Sequence, residues 1–286
     1  MSHKLLREEV VASRDLLPVF PRVISEIFAT LDDPESNLGV LEKLVARDPV
    51  LVARVLHLAN VAASRSRRDD SIFNLYTAIA LIGLAQLREE VIKSKLTGFV
   101  HGLLPAGVLP GLWQHGAATG VCAEQLALHL GLPAVPALVA GLLHDIGQVW
   151  LCRFQPAAFL SAWEEAKTRT TTIEAAERER FGVDHATIGA WLADSWGLPM
   201  QVCVAIRYHH CPDTALSVPL VPLLHVANVL SNALDLGGDY ARVSALSQQC
   251  CDALGLRWDD SADLLFARIE AANRASAHFY DSPPAA

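Results

Sequence analysis

The apolar residues of this chain recur every three or four positions along most of its length, which is the spacing of helices that bury one face. The segment from Asp48 to Asn60 is typical: Asp48 suits a helix N-cap, Pro49 suits the first helical position, and an apolar stripe follows. Alternation of apolar and polar residues, the pattern of a strand, never continues long enough to predict a sheet. The sequence therefore predicts an all-α fold, a multi-helix domain with an N-terminal helical lobe.

Composition narrows the class of protein. Of the 286 residues, 52% are hydrophobic and only 19% are charged, which excludes a disordered chain. This apolar character raises the question of a membrane span. The longest nearly uncharged run, residues 98–121, is interrupted by Gly98, Gly102, Pro105, Gly107, Pro110 and Gly111. Because a spanning helix needs about 20 apolar residues in regular structure, we expect no membrane association.

Cysteine and charge usage favour a cytoplasmic location. The six cysteines include no CxxC pair, which favours buried thiols in a reducing compartment. Residues 1–10 lack the apolar core of a secretory signal. The net charge is −8 and the basic residues are dispersed, so direct nucleic-acid binding is disfavoured.

A connector rich in Gly and Pro, residues 98–111, divides the chain. We expect residues 1–100 to form the N-terminal helical lobe and residues 101–280 to form a second helical lobe closed by C-terminal helices. We expect residues 281–286 to be a disordered tail. The charged stretch from Glu164 to Arg180 is predicted to be a solvated helix face.

His144 and Asp145 are the most unusual polar residues, because they interrupt the apolar run from Val135 to Leu151. Burying an ionised aspartate is costly unless it is paired or bound to a metal. An imidazole nitrogen beside a carboxylate oxygen suits a divalent metal such as Fe, Mn, Zn, Ni or Mg. The alternative is a buried, hydrogen-bonded polar cluster without metal.

A divalent metal needs more ligands than this pair. His115 lies on the inward face of the preceding predicted helix, His185 follows the N-cap residue Asp184, and two histidines end another predicted helix. The candidate metal ligands are His115, His144, Asp145, His185, His209 and His210. Other roles stay open: a hydrogen-bonded core position for His115, a part in the helix start for His185, and an exposed position for His210.

Several motifs occur in the order seen in one protein family. Leu17-Pro18 opens the region, and Asp48-Pro49 leads to Leu58-Ala59-Asn60. The later motifs are Leu81-Ile82-Gly83, Leu143-His144-Asp145-Ile146-Gly147, Phe181-Gly182-Val183-Asp184-His185, Trp196-Gly197-Leu198-Pro199, and Ile206 followed by His209-His210. Over residues 16–232 the chain resembles the HDOD (HD-related output domain) family, a branch of the HD metal-dependent phosphohydrolase superfamily. The resemblance implies a helical signalling module.

The chain departs from the pattern of catalytic HD phosphohydrolases. Asn228 stands where such enzymes close the metal site with an aspartate, and Gln148 stands where relatives that cleave cyclic dinucleotides carry a lysine. Cys211-Pro212-Asp213 replaces their GYP motif. An amide neither neutralises a metal nor attracts a phosphate, and metal-dependent hydrolysis relies on charge stabilisation. The resemblance therefore implies a degenerate metal site, and no catalytic residue is assigned.

Three functions are compatible with these residues. The leading hypothesis is a signal-transduction module that acts by protein–protein contact on a signalling partner, such as a sensor kinase, a receiver or a diguanylate-signalling protein. The alternative is a metal-dependent phosphohydrolase for a nucleotide or cyclic dinucleotide, in which the six candidate ligands hold one or two metals. The third hypothesis is a sensor that binds a nucleotide in the same pocket without hydrolysing it.

Overall fold

The computed structural model describes residues 4–29, 38–65, 72–103, 110–168, 171–236, 245–258 and 261–277. These residues are mostly helical and contain no β-strand, so the all-α prediction is confirmed. The predicted tail, residues 281–286, lies outside the described part of the chain.

The helices of the first part of the chain are α1 (Arg7–Ala12), α2 (Arg22–Ala29), α3 (Leu38–Ala46), α4 (Pro49–Arg65) and α5 (Leu75–Leu103), with a 3-10 turn at Ser13–Leu16. The next are α6 (Pro110–Leu130), α7 (Ala134–Leu143), α8 (Ile146–Phe154), α9 (Pro156–Thr168) and α10 (Ile173–Phe181). The last are α11 (His185–Ser195), α12 (Met200–Tyr208), a 3-10 turn at Pro212–Thr214, α13 (Leu220–Ala233), α14 (Gln248–Leu254) and α15 (Ser261–Ser276).

The chain divides into two compact units. Residues 21–98 form the smaller unit, and residues 1–20 together with residues 99–286 form the larger one. Residues 1–20, expected from sequence in the N-terminal lobe, thus belong with the larger unit. The reason is that α1 packs on α11 and the main-chain N–H of Leu5 donates a hydrogen bond to the carbonyl of Phe181 (2.9 Å). Such contacts join distant parts of the chain and leave no local sequence signal.

In the smaller unit, helix α4 begins where the sequence predicts. Asp48 Oδ1 accepts hydrogen bonds from the main-chain N–H groups of Val50 (3.1 Å) and Leu51 (3.2 Å), so Asp48 is the N-cap. The other carboxylate oxygen, Oδ2, lies 2.9 Å from Nζ of Lys95 in α5. Asp48 therefore both starts α4 and ties it to α5.

Helix α5 has a kink at Gly83, whose φ of +81° and ψ of 163° are not helical. Residues with a Cβ rarely adopt this region of backbone conformation, whereas glycine enters it without a steric penalty. The kink separates residues 75–82 from the remainder of the helix.

Helices α7 and α13 form the centre of the larger unit. Every residue of α7 from Pro136 to Leu143 is buried, and so is every residue of α13 from Leu220 to Ser231. Helices that are apolar on all sides are stable when other helices surround them, and here α6 and α12 both pack on α7 and α13. Polar side chains at the end of α7 or within α13 are therefore held in a largely apolar interior.

One stretch of the described residues, Ala134–Phe154, is long and apolar enough by composition to span a membrane, with a mean hydropathy of 1.4. Its most apolar window is 89% buried within the protein, as in the core helix of a globular domain. The stretch also contains a turn at His144 and Asp145, between α7 and α8. Its apolar character is thus accounted for by burial inside the protein.

Three aromatic rings meet in the larger unit. Phe20 stacks on Trp196 with ring centroids 4.8 Å apart, and Phe99 packs edge-on against both rings at 5.2 Å. Each such pair stabilises the fold by about 0.5–1.5 kcal/mol beyond its buried area. Because Phe20 and Phe99 flank residues 21–98 in sequence, the cluster holds the two ends of that segment at one place.

Candidate metal centre

The six candidate ligands come from different helices but meet in the larger unit. Helix α6 contributes one, the turn between α7 and α8 contributes two, α11 begins with one, and two follow α12. Their ligand atoms form two groups, and within each group all of these atoms lie within 4.8 Å of one another. The three-histidine group is Asp145, His185, His209 and His210, and the two-histidine group is His115, His144 and Asp145.

Asp145 joins the two groups, because its two carboxylate oxygens face different histidines. Oδ1 lies 3.2 Å from Nε2 of His185 and 3.6 Å from Nε2 of His209. Oδ2 lies 3.4 Å from Nε2 of His144 and 3.9 Å from Nε2 of His115. One carboxylate therefore lies between four imidazole nitrogens.

Two imidazole rings are oriented by hydrogen bonds on their outer side. Nδ1–H of His144 donates to the carbonyl of Gly141 (2.8 Å), and Nδ1–H of His209 donates to the carbonyl of Ile206 (2.7 Å). Because a carbonyl only accepts hydrogen bonds, these contacts assign the proton to Nδ1 and leave the Nε2 lone pair facing the centre. This is the arrangement of a histidine that binds a metal through Nε2.

His185 is held in the same orientation by a carboxylate. Its Nδ1 lies 2.6 Å from Oε2 of Glu177, and its Nε2 lies 2.9 Å from Nε2 of His210. Burial lowers the pKa of His185, but Glu177 and Asp145 outweigh this effect and raise it well above its ordinary value. The sequence leaves open an exposed position for His210. In the structure this residue is half-buried, and its Nε2 faces that of His185.

The residues present fit a divalent metal. Nε2 of His144 and Nε2 of His209 are buried without a hydrogen-bond partner among the described residues. A buried polar atom without a partner costs about 1–3 kcal/mol, and in native proteins such atoms often mark an ion or a water. A donor set of imidazole nitrogens with one carboxylate suits divalent transition metals.

For four of the six candidate ligands, His115, Asp145, His209 and His210, the electrostatics favour the form that binds a metal. Burial lowers the pKa of His115 to about 4, and burial together with neighbouring imidazoles lowers the pKa of His209 and His210 well below the ordinary value. Burial raises the pKa of Asp145, but the surrounding histidines outweigh it and hold that pKa well below its usual range. Metals bind neutral imidazoles and ionised carboxylates.

The amide side chains of Asn228 and Gln148 are both buried in the larger unit. Asn228, in α13, neighbours His115, and Gln148 lies one helical turn after Asp145 in α8. Oδ1 of Asn228 and Oε1 of Gln148 have no hydrogen-bond partner among the described residues. The structure therefore puts a neutral amide, and not a carboxylate, beside the two-histidine group.

A close approach of α8 and α11 brings Asp145 near His185. A Cβ atom on Gly147 would lie 2.0 Å from the carbonyl oxygen of His185, so glycine is the residue that allows the two backbones to come this close. Gly147 follows Asp145 by two residues, and its contact is with a ligand residue of α11. This glycine therefore permits the close approach of two candidate ligands of the three-histidine group.

Residues 164–180 are predicted to form a solvated helix face. Glu177 is instead buried and contacts His185, so the prediction is wrong for this residue. Ala176, Glu177 and Phe181 are buried on α10. Apolar neighbours at helical spacing are the sequence signal of a buried face, and Ala176 and Phe181 supply it here. The charged residues around them hide that signal.

Known proteins share the family and the fold of this chain. The HDOD domain family matches residues 17–212. A solved HDOD domain protein of unknown function from Geobacter sulfurreducens is 25% identical, with a TM-score of 0.75 and coverage of 97% of this chain and 98% of that one. A solved protein from Shewanella amazonensis, provisionally named a phosphohydrolase, is 26% identical, with a TM-score of 0.66 and coverage of 95% and 94%.

A relative known from sequence is longer than this chain. An uncharacterised protein of Treponema pallidum is 28% identical over 234 residues, which are 80% of this chain and 45% of that protein. The chain thus spans less than half the length of this relative. Since the family match covers more than half of the chain and the order of motifs in the sequence predicts the same assignment, the chain belongs to the HDOD domain family.

Proposed function

We propose that this chain is a signal-transduction module whose larger unit binds one divalent metal in the three-histidine group, and that it acts by contact with a signalling protein without turning over a substrate. The observation that carries the proposal is the difference between the two groups that share Asp145. The three-histidine group brings four protein side chains together, with ligand atoms within 4.8 Å of one another. The two-histidine group has the buried amide of Asn228 beside it.

The three-histidine group is the better metal site because it offers four candidate ligands against three, and two of its histidines are already oriented. His185 is held by Glu177, and His209 is held by the carbonyl of Ile206. Metal sites with four protein ligands are characteristic of structural centres, whereas catalytic zinc sites keep a position open. The donor set therefore supports a metal whose binding stabilises one conformation of the chain, which a signalling partner can then recognise.

A second metal in the two-histidine group is disfavoured by charge. Two dications that share the carboxylate of Asp145 repel each other, and the repulsion is strong in a buried site where the effective dielectric constant is low. The amide of Asn228 offers an oxygen but no negative charge. We therefore expect the second group to bind a metal much more weakly than the first.

The donor set also bears on the identity of the metal. Imidazole suits Zn, Fe and Ni, whereas Mg prefers oxygen ligands and retained waters. We therefore favour Zn, Fe or Ni over Mg for the three-histidine group. A bound divalent metal supplies Lewis acidity and charge stabilisation, and in this chain Gln148 offers no cation to accompany them.

The absence of turnover is inferred from residues 148 and 228 together. Phosphoester hydrolysis requires the charge of the reacting phosphate to be stabilised in the transition state. Gln148 and Asn228 are neutral where the catalytic pattern has charged groups. The partner we propose is a cytoplasmic signalling protein, such as a sensor kinase, a receiver or a diguanylate-signalling protein, and we propose no direct contact with nucleic acid or membrane.

Elemental analysis of the purified chain tests the metal, combined with calorimetric titration of the chelator-treated protein with Mn²⁺ and Zn²⁺. We expect about one metal per chain, with His209→Ala abolishing tight binding and His115→Ala leaving it largely intact, because these histidines belong to different groups. His129, at the end of α6, offers a control as His129→Ala. Equal losses for His115→Ala and His209→Ala would contradict the single-site proposal.

A metal-dependent phosphohydrolase is the second candidate, favoured by the likeness to the Shewanella protein provisionally named as one. The test is hydrolysis of a model phosphodiester and of cyclic dinucleotides by the Mn²⁺- or Fe²⁺-loaded protein. Turnover that disappears in His144→Ala would establish this candidate and overturn the non-catalytic proposal. For a nucleotide sensor, thermal unfolding with a nucleotide panel is the corresponding test, since a ligand raises the midpoint by mass action.

A further inference from the structure

Glu177 is fully buried, and one of its oxygens accepts two hydrogen bonds from a single residue. Oε2 lies 2.8 Å from the main-chain nitrogen of His185 and 2.6 Å from Nδ1 of its ring. The other oxygen, Oε1, is buried without a hydrogen-bond partner among the described residues. We propose that Glu177 is a positioning residue, which holds Nε2 of His185 toward the three-histidine group and thereby raises its affinity for a metal. This inference rests on the metal binding proposed above.

The two hydrogen bonds to Glu177 hold different parts of His185. The main-chain N–H belongs to the first turn of α11, where amides lack a partner within the helix, so the first bond anchors the helix end. The second bond fixes the rotation of the ring, with Nε2 directed at Asp145 Oδ1, 3.2 Å away. A ligand that is already oriented loses less conformational entropy when the metal binds.

The turn between α10 and α11 keeps Glu177 beside His185. Asp184 caps α11 by accepting a hydrogen bond from the main-chain N–H of Thr187 (2.8 Å). Oδ2 of Asp184 also pairs with Arg178, the residue that follows Glu177. The carboxylate and the histidine are thus fixed to the same corner of the chain, on opposite sides of the turn.

Glu177 also distinguishes His185 chemically from the other oriented histidines. His144 and His209 donate Nδ1–H to main-chain carbonyls, whereas His185 donates to a carboxylate. A carboxylate behind an imidazole increases the basicity of the nitrogen that binds the metal. The effect of Glu177 should therefore be felt in the three-histidine group and not in the two-histidine group.

The test is a titration of the chelator-treated full chain with Co²⁺ and Zn²⁺. Glu177→Gln keeps the shape and an acceptor oxygen but removes the charge, and Glu177→Ala removes both. Glu179→Gln, on the exposed side of the same helix, is the matched control. We expect metal affinity to fall about 10-fold for Glu177→Gln and up to about 100-fold for Glu177→Ala, with the visible absorption of bound Co²⁺ altered in both.

The outcomes separate this inference from the proposed function. If the wild-type chain binds no metal, both are wrong. If it binds metal and both Glu177 variants match Glu179→Gln in affinity and Co²⁺ spectrum, only the role of Glu177 is wrong, even where their metal-free stability falls. If Glu177→Ala does not fold, the isosteric Glu177→Gln decides the question.

Discussion

Nε2 of His185 and Nε2 of His210 lie 2.9 Å apart in the larger unit. At this distance two imidazole nitrogens can share one proton or one metal ion, but two protons between them would clash. Nδ1 of His185 already faces Glu177, so Nε2 is the atom of this ring that is left for the partner. The position of His210 is therefore that of a fourth candidate ligand in the three-histidine group.

The first prediction concerns the substitution of His210. We expect His210→Ala to abolish most of the stabilisation that Zn²⁺ gives to the chain, because one of four ligands is lost. In the wild type, free Zn²⁺ at about 100 times Kd should stabilise the folded state by about 2.7 kcal/mol. Thermal unfolding with Zn²⁺ and with chelator measures the difference. His57→Ala, an exposed position in α4, should behave as the wild type.

The second prediction is a gain of metal. Asn228→Asp supplies a carboxylate beside His115, so the two-histidine group should bind a second divalent ion and the stoichiometry should rise from about one to about two per chain. Elemental analysis after dialysis measures it. Asn232→Asp, one turn further along α13, adds the same charge at a half-buried position and should leave the stoichiometry unchanged. A stoichiometry of two in the wild type would contradict our account of position 228.

The third prediction uses the contact between α8 and α11. In Gly147→Ala the new Cβ has to displace the carbonyl oxygen of His185, which would otherwise lie 2.0 Å away. We expect a loss of about 1–3 kcal/mol in the free energy of unfolding and weaker metal binding. Gly98→Ala is the control, because its Cβ meets no atom within 4 Å. That substitution should be neutral or stabilise by about 0.5–1 kcal/mol.

The fourth prediction concerns Asp48 in the smaller unit and its dependence on pH. Asp48→Ala removes the N-cap of α4 and should cost about 1 kcal/mol in denaturant unfolding at pH 7. Asp48→Asn keeps a capping oxygen and removes only the charge beside Lys95, so it should cost less.

The sign of the pH dependence follows from the pKa of Asp48. Burial raises this pKa, but Lys95 and the amides of Leu51 and Val50 outweigh it, so it lies below its ordinary value of 3.8. A lowered pKa stabilises the fold above pH 3.8, and the contribution is lost as the pH falls through the folded-state pKa. The difference between wild type and Asp48→Asn should therefore be constant near neutrality and vanish in acid.

Features that depend on neighbours in sequence could be predicted, and several were. The N-cap at Asp48 and the start of α4 at Pro49 are local, since the capping hydrogen bonds reach only Val50 and Leu51. The six candidate ligands stand out because histidine and aspartate are rare within apolar helices. Their convergence on one place could be expected only through the order of the family motifs.

Features that depend on distant contacts could not be predicted. Leu5 joins the larger unit through Phe181, a residue far along the chain. Glu177 looks like a member of a charged, solvated stretch, and its burial depends on the position of α11. The kink at Gly83 lies inside an apolar pattern that is typical of an uninterrupted helix.

The aromatic cluster of Phe20, Phe99 and Trp196 bears on whether the larger unit can be made without residues 21–98. The rings of Phe20 and Phe99 lie 5.2 Å apart, although 78 residues of the smaller unit separate them in sequence. Residues 21–98 are thus inserted into the sequence of the larger unit between two residues whose side chains are in contact. We expect a short glycine-serine bridge from residue 20 to residue 99 to close the larger unit at little entropic cost, and a chain shortened in this way shows whether the histidine centre forms without residues 21–98.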